Sequence, residues 1–304
     1  MTKAITSTCI YQLIDRDIFS LDTNLKDFFP EINDKKVIKG FDDNGDAILS
    51  DVSNDINIGH LLTHTSGFAY EIWNESIAKL VERGDLQSAF ANNDEFLKAP
   101  LIFEPGTNWE YGIGIDWLGV LIEKISECSL QEYMQANIFE PLEMNHTKFF
   151  LTPKEKELML PLFVRNEKIE GFNETGITGI NDLITYDMEF KVAYGSQGLI
   201  STPKDFSNFC SMLVNRGEFK NKRILSAHSI SELIVRYADG PHSSDSDFLG
   251  VYNGLGVYVL DNPSLMDFKA PKGLFGHGGY QLSLIHISEP TRQEAISYAV
   301  FCLK

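Results

Sequence analysis

Ile5, Cys9, Ile10, Leu13 and Ile14 recur at intervals of three and four, which predicts a buried helix over 2–15. Leu118, Leu121, Ile122 and Ile125 repeat the pattern more strongly and predict an amphipathic helix over 115–126. Shorter apolar runs predict helices over 58–64, 130–138 and 203–214. The last of these is introduced by Thr202 as cap and Pro203 at the first helical position. Residues 76–96 read as surface helices, and Thr152 caps a short helix over 152–158. Polar, Gly-bearing 42–55 reads as a loop or short hairpin. Apolar runs at 195–200, 255–260 and 273–276 predict strands. Helices fill the middle and strands gather late, the order of an α+β fold whose sheet is assembled from distant segments.

Composition narrows the function classes. Asp and Glu number 43 against 26 Lys and Arg, a net charge of −17, which argues against nucleic acid or an anionic membrane as partner. No run of 18 apolar residues exists, so no membrane-spanning helix is expected. The four cysteines are scattered without a CxxC pair, so neither a disulfide framework nor a zinc ribbon is implied. His60 and His64 have the i,i+4 spacing of zinc ligands on a helix. Leu61 stands where a zinc-protease motif needs Glu, and both histidines are read as structural.

Three segments carry candidate chemistry. Lys3 stands at a helix start, where its amine would serve a hydroxyl three positions earlier, on the same helical face. A serine hydroxyl needs such a base, and a buried lysine loses enough basicity to be one. That serine is expected immediately before Met1, giving Ser-Met-Thr-Lys; the alternative for Lys3 is a solvated helix-start lysine. Tyr111, in the stretch WEYGIG directly before a helix, could pass protons to a leaving group, or simply pack. His277, Gly278 and Gly279 lie in FGHGGY, where glycines let a strand approach a ligand. The backbone N–H of Tyr280 is the candidate oxyanion donor, and a Gly bulge with a surface His is the competing reading.

Together these segments resemble the serine β-lactamase and penicillin-binding-protein family, whose elements are Ser-x-x-Lys, a Tyr or Ser motif, and Lys-Thr-Gly. Lys3, Tyr111 and His277-Gly278-Gly279 occupy those places in order. HLLTHTSG at 60–67, Pro105-Gly106-Thr107, FEPLEM at 139–144 and GSQGLIST at 195–202 extend the likeness. His-Gly-Gly in place of Lys-Thr-Gly resembles the class C-like esterase and transesterase branch, and YGIGIDW at 111–117 its fungal members. The resemblance implies an antiparallel sheet flanked by helices, with a mostly helical region inserted and the active site between them. It implies serine-dependent acyl transfer on a small ester, thioester or amide, with no metal or cofactor. Lys3 and Tyr111 would move protons, Tyr280 N–H would stabilise the oxyanion, and His277, Gly278 and Gly279 would bind substrate. Two alternatives stay open: a β-lactamase or D-alanyl peptidase, and a catalytically silent homologue that binds a ligand or partner protein. Gly112-Ile113 after Tyr111 lacks the amide of a Tyr-x-Asn motif, and His277 replaces the motif lysine; both favour an ester over a lactam.

The domain is expected to span 1–281, truncated at both ends. Residues 282–292, LSLIHISEPTR, and 296–303, ISYAVFCL, read as in-frame translations of sequencing-adapter DNA, so 282–304 is expected to be an artefactual tail. A chain lacking the serine is expected to be inactive.

Overall fold

A long helix, α1 (Thr2–Asp15), runs through the middle of the molecule with every residue from Thr2 to Leu13 buried. The computed structural model describes residues 1–159, 192–235, 237, 250–265 and 271–277, together with the backbone of 162–165, 172–175 and 238–239. After α1 come a hairpin, β1 (Lys36–Phe41) and β2 (Ala47–Asp51), and then α2 (Ile58–Leu62), α3 (Glu75–Arg83), α4 (Gly114–Ser126), α5 (Leu130–Met134) and α6 (Pro153–Lys156). Strands β3 (Leu162–Arg165) and β4 (Phe172–Thr175) form a separate antiparallel pair. The chain continues through α7 (Pro203–Val214), the short pair β5 (Glu218–Phe219) and β6 (Lys222–Arg223), and α8 (Ala227–Leu233). It then enters β7 (Ala238–Asp239), β8 (Val251–Asn253), β9 (Tyr258–Leu260) and β10 (Phe275–Gly276). These last four make an antiparallel sheet in the order β10-β9-β8-β7. The architecture is the expected α+β one, with helices from α2 to α6 forming the middle of the chain. No helix among the described residues is long and apolar enough to cross a membrane.

Several polar residues of helix α1 find hydrogen-bond partners on neighbouring segments, which offsets part of the cost of burying them. Thr6 Oγ1 donates to Gly195 O at 2.5 Å, and Gln12 Nε2 donates to Asn137 O at 3.0 Å and to Ile224 O at 3.2 Å. Thr8 Oγ1 bonds back to Ala4 O within the helix at 2.9 Å. Helix α4 packs against both α1 and α2, burying Leu118, Leu121 and Ile122 fully. The Ile115–Ser126 pattern thus marks the helix within one residue of its N-terminus.

The strand expected over 195–200 is not formed; only Ile200 pairs, with Lys148, in an isolated bridge. The segment is instead clamped between α1 and α4, whose side chains take its backbone groups. Gly195 O accepts from Thr6 Oγ1, Ser196 N–H donates to Asp116 Oδ1 at 3.0 Å, and Leu199 N–H donates to Thr2 Oγ1 at 3.3 Å. A Cβ on Gly195 would stand 2.1 Å from Ile115 O and 3.0 Å from Gly119 N, both backbone atoms that cannot swing aside. Gly195→Ala is therefore expected to destabilise the fold by ~3 kcal/mol, at the upper end for overpacking, and calorimetry should read a Tm lower by several degrees.

The sheet reaches α1 through the turn between β8 and β9. A Cβ at Gly256 would lie 1.9 Å from Ser7 Oγ, which puts this turn directly against α1, one helical turn beyond Lys3. Asn253 Nδ2 donates to Thr63 O at 3.0 Å and ties β8 to the chain after α2.

Candidate active site

Lys3 sits in the first turn of α1 and is only 6% exposed. Its Nζ donates to Ser196 O at 3.2 Å. The ammonium lies 4.8 Å from the ring centre of Tyr111 and 5.4 Å from that of Tyr70. Burial lowers it to about 8, against the opposing pull of the Asp116 carboxylate. At neutral pH about a tenth of such a group is unprotonated, far more than of a solvated lysine.

Tyr111 lies in the segment that leads into α4, packed against the stretch that follows α2. Gly112 lets the two backbones touch, since a Cβ there would stand 2.2 Å from Phe68 O and 2.6 Å from Ala69 Cα. Tyr70 N–H donates to Tyr111 O at 3.3 Å, and Gly112 N–H donates to His64 Nδ1 at 3.4 Å. His64 adopts φ 59°, an uncommon conformation for a side-chain-bearing residue, and its ring rests on Tyr111 at 4.7 Å between centres. Burial first, then the neighbouring Lys3 charge, lower His64 to about 3, so its imidazole is neutral. Burial, and after it Asp116, push the Tyr111 phenol above its ordinary value, so it stays protonated at physiological pH. His60 is engaged elsewhere, its Nδ1 accepting from Asn57 N–H in the cap of α2.

The structure therefore brings Lys3 and Tyr111 together from opposite ends of the helical region. His277 is 5% exposed, follows β10, and stacks on Tyr258 at 4.9 Å between ring centres. The register pairs Phe275 with Val259 and Gly276 with Tyr258. Continued by one residue, it sets His277 level with Val257, beside the Gly256 turn that abuts α1. His277 thus lies at the end of the sheet that faces α1. Gly278, Gly279 and Tyr280 lie outside the described residues, as do 282–304.

Three side chains beside the Lys3–Tyr111 pair escaped the sequence reading. Asp116 is buried at 4% exposure in the first turn of α4 and accepts from Tyr70 OH at 3.1 Å. The signal was present: Asp116 is a lone charge in the apolar run from Ile115 to Ile122. Tyr70 joins the lysine from the other side. Trp73, 53% exposed, stands edge-on to Tyr111 with 5.1 Å between centres, an apolar rim open to solvent. Nothing in the local pattern singles out either aromatic.

The family model described as Beta-lactamase matches residues 1–292. The ML-236A carboxylate methylbutanoyltransferase mlcH of Penicillium citrinum is 31% identical over 215 residues, 70% of this chain and 50% of the relative. The lovastatin esterase of Penicillium rubens is 29% identical over 266 residues, 84% of this chain and 63% of the relative. Among solved structures, a mutant of the simvastatin synthase LovD from Aspergillus terreus superposes with a TM-score of 0.74 at 25% identity, covering 90% of this chain and 66% of that one. The chain spans about half the length of the methylbutanoyltransferase. The match over nearly the whole chain, together with the antiparallel sheet set against a buried Lys-bearing helix, places the protein in the Beta-lactamase family.

Proposed function

We propose that the protein is a serine-dependent acyl-transfer enzyme that hydrolyses a small ester or thioester or passes its acyl group to an alcohol. The observation that carries this reading is the dehydrated Lys3 amine held 4.8 Å from the Tyr111 ring in the first turn of α1. The nucleophile is a serine directly before Met1, one helical turn ahead of Lys3. Its Oγ attacks the ester carbonyl while neutral Lys3 takes the proton. The negative oxygen of the tetrahedral intermediate is met by the Tyr280 N–H and the serine's own N–H. Tyr111, protonated, gives its proton to the departing alkoxide, and proton transfer from the amine restores the phenol. Water or an acceptor alcohol then reverses the sequence and frees the acyl group. His277, Gly278 and Gly279 bind the substrate, and no metal or cofactor takes part.

The names of the relatives, a methylbutanoyltransferase and an esterase, support an ester rather than a lactam. So does Gly112-Ile113 after Tyr111, which offers no side-chain amide for an acylamino group.

The test is labelling by a fluorophosphonate probe. The protein carrying the serine is expected to be labelled, and the chain beginning at Met1 is expected neither to be labelled nor to turn over esters. Absence of labelling with the serine in place would make the protein a binding homologue instead. Nitrocefin turnover matching that of short p-nitrophenyl esters would reassign it as a lactamase or peptidase.

A further inference from the structure

We infer that Asp116, seated by Tyr70 and the Ser196 peptide, is a positioning residue that supplies the buried counter-charge for Lys3. The peptide joining Gly195 and Ser196, and the carbonyl that follows it, form the link. Ser196 N–H donates to Asp116 Oδ1 at 3.0 Å, and Ser196 O accepts from Lys3 Nζ at 3.2 Å. The second carboxylate oxygen accepts from Tyr70 OH at 3.1 Å, and the ring of that tyrosine lies 5.4 Å from the ammonium. Acid and amine are thus fixed to the same residue from α4 and α1, and both are almost fully buried.

A buried carboxylate with no cation nearby would be costly, and so would the lysine without the acid. Burial raises Asp116 and lowers Lys3, and each charge opposes the shift of the other. Among the described residues, the other ionisable groups facing Lys3 are the Met1 amino group, neutral His64, and the phenols of Tyr70 and Tyr111. In the 304-residue chain burial holds the Met1 amine at about 5, so it is neutral near pH 7, and with a serine ahead of Met1 that nitrogen is a non-titrating peptide N–H. Tyr194 also faces Asp116, and its phenol is raised to about 12, by burial first. Near neutrality none of these carries negative charge, so Asp116 is the anion that keeps Lys3 from losing its proton at still lower pH. Without it, the amine would be neutral more often and a weaker base.

For its catalytic meaning the inference rests on the reading of Lys3 as base, but its ionic core can be measured without turnover. Lysine labelled with 13C at Cε is incorporated into the 304-residue chain, and the Lys3 signal is assigned by its absence in Lys3→Met. Asp116→Asn is expected to lower the Lys3 midpoint by about one pH unit, a size usual for loss of a neighbouring charge. Tyr70→Phe, which strips a hydrogen bond from the carboxylate, is expected to move it the same way by less. In the serine-bearing protein the acid limb of kcat/KM should move with the midpoint, a change that general loosening of the fold would not produce. An unmoved midpoint in whichever variants fold overturns the inference, even if the protein is an esterase. A moved midpoint in a protein without Lys3-dependent turnover leaves the inference standing and removes the acyl-transfer reading.

Discussion

Lys3→Met in the serine-bearing protein is expected to cut kcat/KM for a short p-nitrophenyl ester by about a thousand-fold, within the range for loss of a general base. Methionine keeps the volume of the side chain in a site only 6% exposed, and removes the amine. Lys3→Arg separates charge from basicity. A guanidinium retains the positive charge beside Asp116 but does not give up its proton in this pH range, so it cannot act as base. It is expected to be nearly as inactive as the methionine variant, and wild-type turnover in Lys3→Arg would rule out the base assignment. The pH dependence follows with a definite sign. The amine works when neutral, and burial sets its midpoint at about 8, so kcat/KM should rise with pH through that value and level off above it. In either variant the rising limb near pH 8 should vanish from whatever activity survives. Stopped-rate assays from pH 6 to 10, with circular dichroism to exclude unfolding, read all three outcomes.

The sequence disclosed the helices far better than the sheet, for a physical reason. Helical spacing is local: Ile5, Cys9, Ile10 and Leu13 lie within four turns, and the helix they mark, Thr2–Asp15, is the one observed. What the spacing hid was burial all round. Thr6, Thr8 and Gln12 stand between the apolar positions, and all three are enclosed because distant backbone carbonyls, or that of Ala4, accept from them. The run at 195–200 failed as a strand for the complementary reason. Gly195 O, Ser196 N–H and Leu199 N–H are claimed by Thr6, Asp116 and Thr2 from helices remote in sequence, and only Ile200 pairs, with Lys148. Strands over 255–260 and 273–276 are observed only as Tyr258–Leu260 and Phe275–Gly276, since Gly256 turns the chain against α1 before pairing begins.

The candidate site was legible where a motif could be matched and obscure where only packing defines it. Lys3 and Tyr111 were named from their motifs, and their rings and amine do meet. His277 was named too, and the register of β10 on β9 carries it to the α1 end of the sheet. Asp116 lies within the YGIGIDW stretch, but no role attaches to it there, and its importance depends on a segment that arrives from residue 196. A carboxylate flanked by Ile115, Trp117 and Leu118, in the apolar first turns of a helix predicted to be amphipathic, nevertheless demands a partner once buried. That demand is a sequence-level signal, and Lys3 and Tyr70 answer it.

Tyr111→Phe should lower kcat/KM by an amount that depends on the leaving group, and that dependence separates proton transfer from packing. The substitution removes only the hydroxyl. The ring keeps its neighbours His64, Tyr70 and Trp73, at 4.7, 5.5 and 5.1 Å between centres, so the packing around Gly112 should hold. With an alkyl ester the departing alkoxide is strongly basic and must be protonated as it leaves. The phenol, kept protonated by burial, is the donor in reach, and its loss is expected to cost about a thousand-fold. With a p-nitrophenyl ester the departing phenolate is a stable anion that leaves unprotonated, so only about a tenfold loss is expected. Because kcat/KM reports steps up to acylation alone, the comparison is not blurred by the later transfer to water or alcohol. Equal losses on the two esters would mean that the phenol shapes the site without moving a proton, and Lys3 would then have to serve both the attacking hydroxyl and the departing alkoxide.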